Sequence, residues 1–135
     1  MAYDKPVPVI DPDSAPYWSG AREGRLMIQR CGKTGQAFLY SRRLAPGVDD
    51  ASVEWIQASG KGTVYSYTVA HAPAGAAFKG DVPYVVASIE LDEGARILTN
   101  IVTNDPSSVR IGQRVEVVFD KVSDDLTIPK FRVVT

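Results

Sequence analysis

Beyond residue 60 apolar and polar positions alternate, the period-two pattern of strands with one buried face. Five runs carry it: KGTVYSYTVAHAP (61–73), DVPYVVASIEL (81–91), ARILTNIVT (95–103), QRVEVVFDKV (113–122) and IPKFRVV (128–134). They are rich in Val, Ile, Thr, Tyr and Phe, which suit a pleated surface. Turn residues separate them: 73–80 from Pro73 to Gly80, the acidic LDEG at 91–94, NDPSSVRIG at 104–112 and SDDLT at 123–127. No helical period between them is long enough for a crossover, so the pattern predicts a mainly β chain ending in a small, self-closing, five-stranded OB-fold barrel. Asp105 with Pro106 predicts a short helical turn after the third strand, leading through Gly112 into the fourth.

The first part of the chain reads differently. Pro6, Pro8 and Pro12 favour an extended arm over residues 1–12. Ser14 is positioned to cap a short helix through Pro16, Tyr17, Trp18, Ala21 and Arg22, with Gly24 stopping it and the two aromatics anchoring it. Leu26 and Ile28 then alternate with Arg25, Met27 and Gln29, predicting a strand up to Cys31 whose return runs over 38–40, after a turn holding Gly32 and Gly35. The predicted organisation is an arm and helix at 1–24, a ribbon at 25–57 and the barrel at 58–135. With turn signals at Gly32, Gly35 and Pro46 and few large apolar residues, the ribbon is too thin to hold itself by burial alone and calls for a staple.

Composition narrows the function. The chain has 135 residues, 44% of them apolar, which is enough for a core in one domain or a compact domain with a small appendage. Fifteen basic and sixteen acidic side chains give a net charge of −1, which argues against a dedicated nucleic-acid binder. Locally the balance tips: Arg22, Arg25, Arg30, Lys33, Arg42 and Arg43 face Glu23 alone, either a solvated basic surface or a patch for anions. The one cysteine, Cys31, excludes an intrachain disulfide, and the N-terminal sequence lacks a charged-then-apolar leader pattern, so a cytoplasmic location is expected. No apolar run reaches the roughly 20 residues that span a bilayer.

Little points to catalysis by this chain alone. The single histidine, His71, sits at a strand end beside Ala72 and Pro73 with no paired nucleophile, a setting for a structural or interface residue. Asp92, Glu93, Asp124 and Asp125 fall in turns, where carboxylates are usually solvated. GKG at 60–62 is too short for a phosphate-cradling loop.

Taken in order, YWSGAREGRLMIQRC (17–31), EWIQASGKGTVYSYTV (54–69), FKGDVPYVVASIELDEGARILTNIV (78–102), IGQRVEVVF (111–119), Pro129 and Phe131 resemble the DUF35 family over nearly the whole chain. The resemblance implies an N-terminal helix, a rubredoxin-like zinc ribbon and an OB-fold, in proteins that accompany thiolases and other acyl-CoA enzymes. It implies a non-catalytic accessory subunit in a hetero-oligomer with a thiolase-fold enzyme, with CoA or acyl-CoA as a shared ligand and no tightly bound cofactor. The departure is in the ribbon. The family's paired CxxC ligands fall here on Cys31 and Thr34, then Ala45 and Val48, so three of four positions cannot ligate and zinc is not expected. Cys31 then reads as a small buried hydrophobe, and Leu39, Leu44, Ala45 and Val48 as packing that replaces the metal.

For CoA phosphates or an acidic partner surface, Arg42 and Arg43 beside Tyr40 are the first candidates, because a guanidinium fork meets phosphate oxygens bidentately. The second candidate is the segment from His71 to Tyr84. There Phe78 is expected to be an exposed aromatic for a partner or ligand, Lys79 an anion contact, and Tyr84 with Pro83 the fixed exit of the loop. The alternative function is a single-stranded nucleic-acid module using Tyr65, Tyr67 and Phe119 as a stacking platform.

Overall fold

The computed structural model describes residues 3–47 and 52–134. Helix α1 (Ala15–Arg22) is followed by strands β1 (Met27–Cys31), β2 (Ala37–Phe38) and β3 (Val53–Gln57), which form an antiparallel sheet in the order β2-β1-β3. Strands β4 (Lys61–Ala70), β5 (Tyr84–Leu91), β6 (Arg96–Ile101), β7 (Arg114–Lys121) and β8 (Thr127–Val133) close a barrel in the order β4-β5-β6-β8-β7. That is the five-stranded OB arrangement the alternation predicts.

The barrel interior follows from period two. Val85, Ala87, Ile89 and Leu91 point inward from β5, and Ile97 and Ile101 from β6, to meet Val64, Val115 and Phe131. Phe131 is fully buried, a burial that contributes on the order of 2–3 kcal/mol. Gly60 enters the barrel with φ +80°, and a Cβ there would meet Val117 Cγ1 at 2.6 Å, so a side chain has neither the backbone conformation nor the space. The helical turn expected before the fourth strand is a 3₁₀ turn at Pro106–Ser108, with the Asp105 carboxylate accepting the Ser107 N–H at 3.2 Å.

The joints of the barrel are unequal. β4 pairs with β5 over eight residue pairs and β7 with β8 over seven, but β6 and β8 run parallel and share one, Ile101 with Phe131. Around it, the Val102 N–H donates to the Phe131 carbonyl at 2.8 Å and the Thr99 hydroxyl to the Pro129 carbonyl at 3.2 Å. This open seam faces α1 and the ribbon.

Several expectations need correction here. Ser14 does precede α1, but its hydroxyl makes no cap bond; it donates to the Asp11 carboxylate at 2.8 Å, and Asp11 also accepts the Ser14 N–H at 2.8 Å. The ribbon has a third strand, β3, that the alternation did not flag: only five residues long, it pairs along all of β1. Leu44 is exposed rather than packed, whereas Leu39 does pack, against the main core rather than the tip of the ribbon. Gln29, assigned by alternation to the solvent side, is 2% exposed.

Candidate functional site

Two clefts meet over the seam. The first, of about 490 Å³, is walled by Tyr17 and Trp18 of α1, Leu39 and Tyr40 at the end of the ribbon, and Leu98 and Pro129 of the barrel. The second, of about 410 Å³, lies between Phe78, Tyr84, the arm residues Tyr3 and Lys5, and Ile101. Asn100, Ile128 and Lys130 line both, so the two form one groove. The arm borders it at each end, through Tyr3 and Lys5 on one side and Asp11 and Asp13 on the other.

The ribbon positions Tyr40 through Gln29. From β1 the Gln29 side-chain amide donates to the Arg42 carbonyl at 2.8 Å and accepts the Arg42 N–H at 2.7 Å, copying a backbone pair. That satisfies two backbone groups and explains why a polar side chain is buried there. The loop so held brings the Tyr40 hydroxyl to β6, where it accepts the Leu98 N–H at 3.0 Å on the side that β8 leaves open. Tyr17 packs on the main core beside Trp18, ring centroids 5.0 Å apart and perpendicular. Burial raises its phenol pKa, and the neighbouring Tyr40 phenol adds to the rise, so Tyr17 stays protonated.

The predicted contact residues do not gather in one place. Tyr40 and Ser41, next to Arg42, line the first cleft; Phe78 and Tyr84 line the second; His71 and Lys79 are exposed and line neither. Arg43 donates to Asp13 at 3.0 Å, while the Arg42 guanidinium has no carboxylate partner among the described residues. Phe78 is half-buried rather than exposed: it sits 6.2 Å from Tyr84, ring to ring, under the Lys5 ammonium at 5.6 Å. Lys5 also pairs with Asp81 at 3.0 Å, and Tyr84 accepts the Ala74 N–H at 3.3 Å. Lys5, Asn100 and Lys130 escaped sequence reading because only the folded arm and the seam bring them to the loop.

Charge along the groove is largely cancelled. Besides Arg43 with Asp13 and Lys5 with Asp81, Lys130 pairs with Asp120 at 2.7 Å. Elsewhere in the basic segment Arg25 pairs with Glu23, and Arg30 with Glu54 at 2.7 Å. An incoming phosphate at Arg43 has to displace a carboxylate; among the described residues Arg42 has none to displace. The nucleic-acid platform loses two of its three members, since Tyr67 and Phe119 pack against the core and Tyr65 alone is exposed, its ring covered by the Arg96 guanidinium at 3.7 Å.

Residues of the metal knuckle do not fit a structural zinc. Cys31 is buried with Phe38 and Ala45 in a small apolar cluster that Val53 flanks. The turn keeps a knuckle-like course: Cys31 Sγ accepts the Thr34 N–H at 3.4 Å, the Cys31 carbonyl accepts the Gly35 N–H at 2.8 Å, and Gly35 has φ +74°. Hydrogen bonding from Thr34 pulls the thiol below its ordinary pKa, against the opposing effect of desolvation. Thr34 and Ala45 supply no thiolate or imidazole, and Val48 lies outside the described residues. Among the described residues no three His, Cys, Asp or Glu side chains are grouped to hold a metal.

Family models match both halves of this architecture: the rubredoxin-like zinc ribbon domain of ChsH2 over residues 18–45, and its C-terminal OB-fold domain over 55–120. A DUF35 domain-containing scaffold protein of Methanothermobacter thermautotrophicus is 42% identical over 97 residues, covering 71% of this chain and 72% of that protein. The chain belongs to the DUF35 family. A solved DUF35 relative, titled Ltp2-ChsH2(DUF35) aldolase, superimposes with a TM-score of 0.83 at 36% identity over 96% of this chain and 100% of that one. A probable enoyl-CoA hydratase alpha subunit of Thermomonospora curvata is 40% identical over 133 residues, 95% of this chain; the chain spans about 40% of that subunit's length. These relatives are thus a DUF35 scaffold protein, the DUF35 chain of an aldolase and a probable hydratase subunit. Among the described residues of this DUF35 chain no helix is long and apolar enough to cross a membrane.

Proposed function

We propose that this chain is a non-catalytic accessory subunit of a thiolase-fold acyl-CoA enzyme, forming a hetero-oligomer with it and helping to shape the channel for CoA. The superposition over the full length of the DUF35 chain of an aldolase carries the reading. The chemistry of the chain agrees: the one histidine is exposed in a loop, the one thiol is buried in an apolar cluster, and the two are in different parts of the fold. The partner supplies the nucleophile and base; this chain supplies surface and the groove. Arg42 remains the candidate for a CoA phosphate.

Co-expression with a thiolase-fold enzyme from the same genome tests this. The two chains are expected to co-purify, and the thiolase to lose solubility or activity when this chain is left out. A thiolase equally soluble and active alone, with no co-purification, overturns the proposal.

A further inference from the structure

We propose that residues 6–10 of the arm are a docking strand, which adds to the open edge of a β-sheet in the thiolase-fold partner. The partner's identity rests on the accessory role proposed above; the kind of contact rests on the arm itself. In the run PVPVI, Val7, Val9 and Ile10 are 62%, 85% and 45% exposed, three large apolar side chains within four positions. Single apolar residues on a surface need no explanation, but a cluster of them does. The backbone is as unpartnered as the side chains: no N–H or carbonyl of residues 6–10 is hydrogen-bonded among the described residues.

The spacing of the prolines specifies what pairs with it. Pro6 and Pro8 fix their own φ and hold Lys5 and Val7 extended, so the segment is already close to a strand. In a strand, alternate residues turn their N–H and carbonyl to the same edge. Val7 and Val9 therefore furnish one edge with a row of donors and acceptors, while the other, at positions 6 and 8, has carbonyls but no donors. One edge accepts a neighbouring strand and the other refuses one, so the arm is suited to be the last strand of a sheet that another chain begins. Within this chain the arm joins neither sheet, which leaves the edge of another molecule. The segment is also held at both ends. Lys5 fixes one through Asp81 at 3.0 Å and the Phe78 ring; at the other, Asp11 accepts the Ser14 N–H and Asp13 pairs with Arg43 at 3.0 Å. Anchoring removes part of the ordering cost that a free tail meets on binding.

The complex of the full chain with a thiolase-fold enzyme from the same genome provides the test. Val7→Pro combined with Val9→Pro removes both donors and keeps the arm extended; since those groups have no partner in this chain, its melting temperature should not change. Affinity for the enzyme should fall about ten- to hundredfold, two hydrogen bonds' worth. Val7→Thr with Val9→Thr keeps the donors and should bind more tightly than the proline variant. Amide exchange read residue by residue should slow at Val7 and Val9 on complex formation and stay fast at Ile10, whose N–H lies on the proline edge. A double-proline variant that binds like the wild type, or Val7 and Val9 amides that still exchange freely in the complex, overturns the proposal and leaves the accessory role intact. Slowed exchange at Val7 and Val9 in the chain alone at high concentration assigns the strand to a second copy and overturns the partner named here. No complex with the wild-type chain overturns the accessory role, and this proposal with it.

Discussion

In the barrel every strand has two hydrogen-bonded neighbours, and inward side chains from all five meet in one cluster. The ribbon divides in two. Its near half, with Leu26, Ile28 and Ala37, belongs to that same cluster, whereas its far half rests on Cys31, Phe38 and Ala45 with Val53 at the edge. The difference shows what packing a ribbon with so few metal ligands has to draw on: half of it is fastened to a larger core, and the tip has only a small apolar cluster as a substitute. The substitute is small, so Gln29 adds a polar tether between β1 and the loop that carries Tyr40.

The sharpest test of this contrast is a matched pair of deletions. Phe131→Ala is expected to lower global stability by about 3–5 kcal/mol in urea denaturation, the usual cost of a large cavity in a packed core. Phe38→Ala, in the shallower cluster, should cost only about 1–3 kcal/mol, because a small cluster near the surface collapses more easily. Equal losses would break the comparison.

Gln29→Leu probes the tether. It strands the Arg42 N–H and carbonyl and should cost about 1–3 kcal/mol. Hydrogen exchange should quicken over residues 29–42 and stay unchanged in β5; uniform acceleration would mean that the tether serves the whole molecule.

A weaker test sits on the barrel surface, where Arg114 of β7 donates twice to Asp92, at 2.8 and 2.9 Å, and lowers its pKa. A depressed carboxylate stabilises the fold fully above its unfolded pKa and ceases to do so as pH falls through the folded one. Asp92→Asn should therefore melt slightly below the wild type at pH 7, with the gap closing as pH falls below the ordinary carboxylate range. A gap that persists in acid would assign the effect to shape rather than charge.

The smallest effect expected is none: chelator treatment should leave the melting temperature unchanged, and elemental analysis should find no stoichiometric zinc. Restoring ligands by Thr34→Cys, Ala45→Cys and Val48→Cys should create chelator sensitivity. Stoichiometric zinc in the wild type overturns the packing account of the ribbon.

The barrel strands were legible because one face of each is buried, and burial imposes period two on the sequence. The Pro106 turn was legible for an equally local reason, an acidic cap before a proline. β3 escaped because VEWIQ does not alternate: Trp55 and Ile56 are adjacent and both half-buried, and no residue of the strand is fully buried. Gln29 was misplaced because its burial depends on a hydrogen bond to a residue thirteen positions away, which alternation does not register. The groove was invisible for the same cause on a larger scale: Lys5, Tyr17, Tyr40, Leu98 and Lys130 come from five separate segments and meet only when the barrel leaves one joint nearly unlaced.

That joint gives the two clefts a common hinge line. Asn100 stands on one bank, Ile128 and Lys130 on the other, and a single ladder pair stitches the banks together. Asn100, Ile128 and Lys130 therefore belong to both ends of the groove, and a substitution at any one of them alters the walls of both clefts at once.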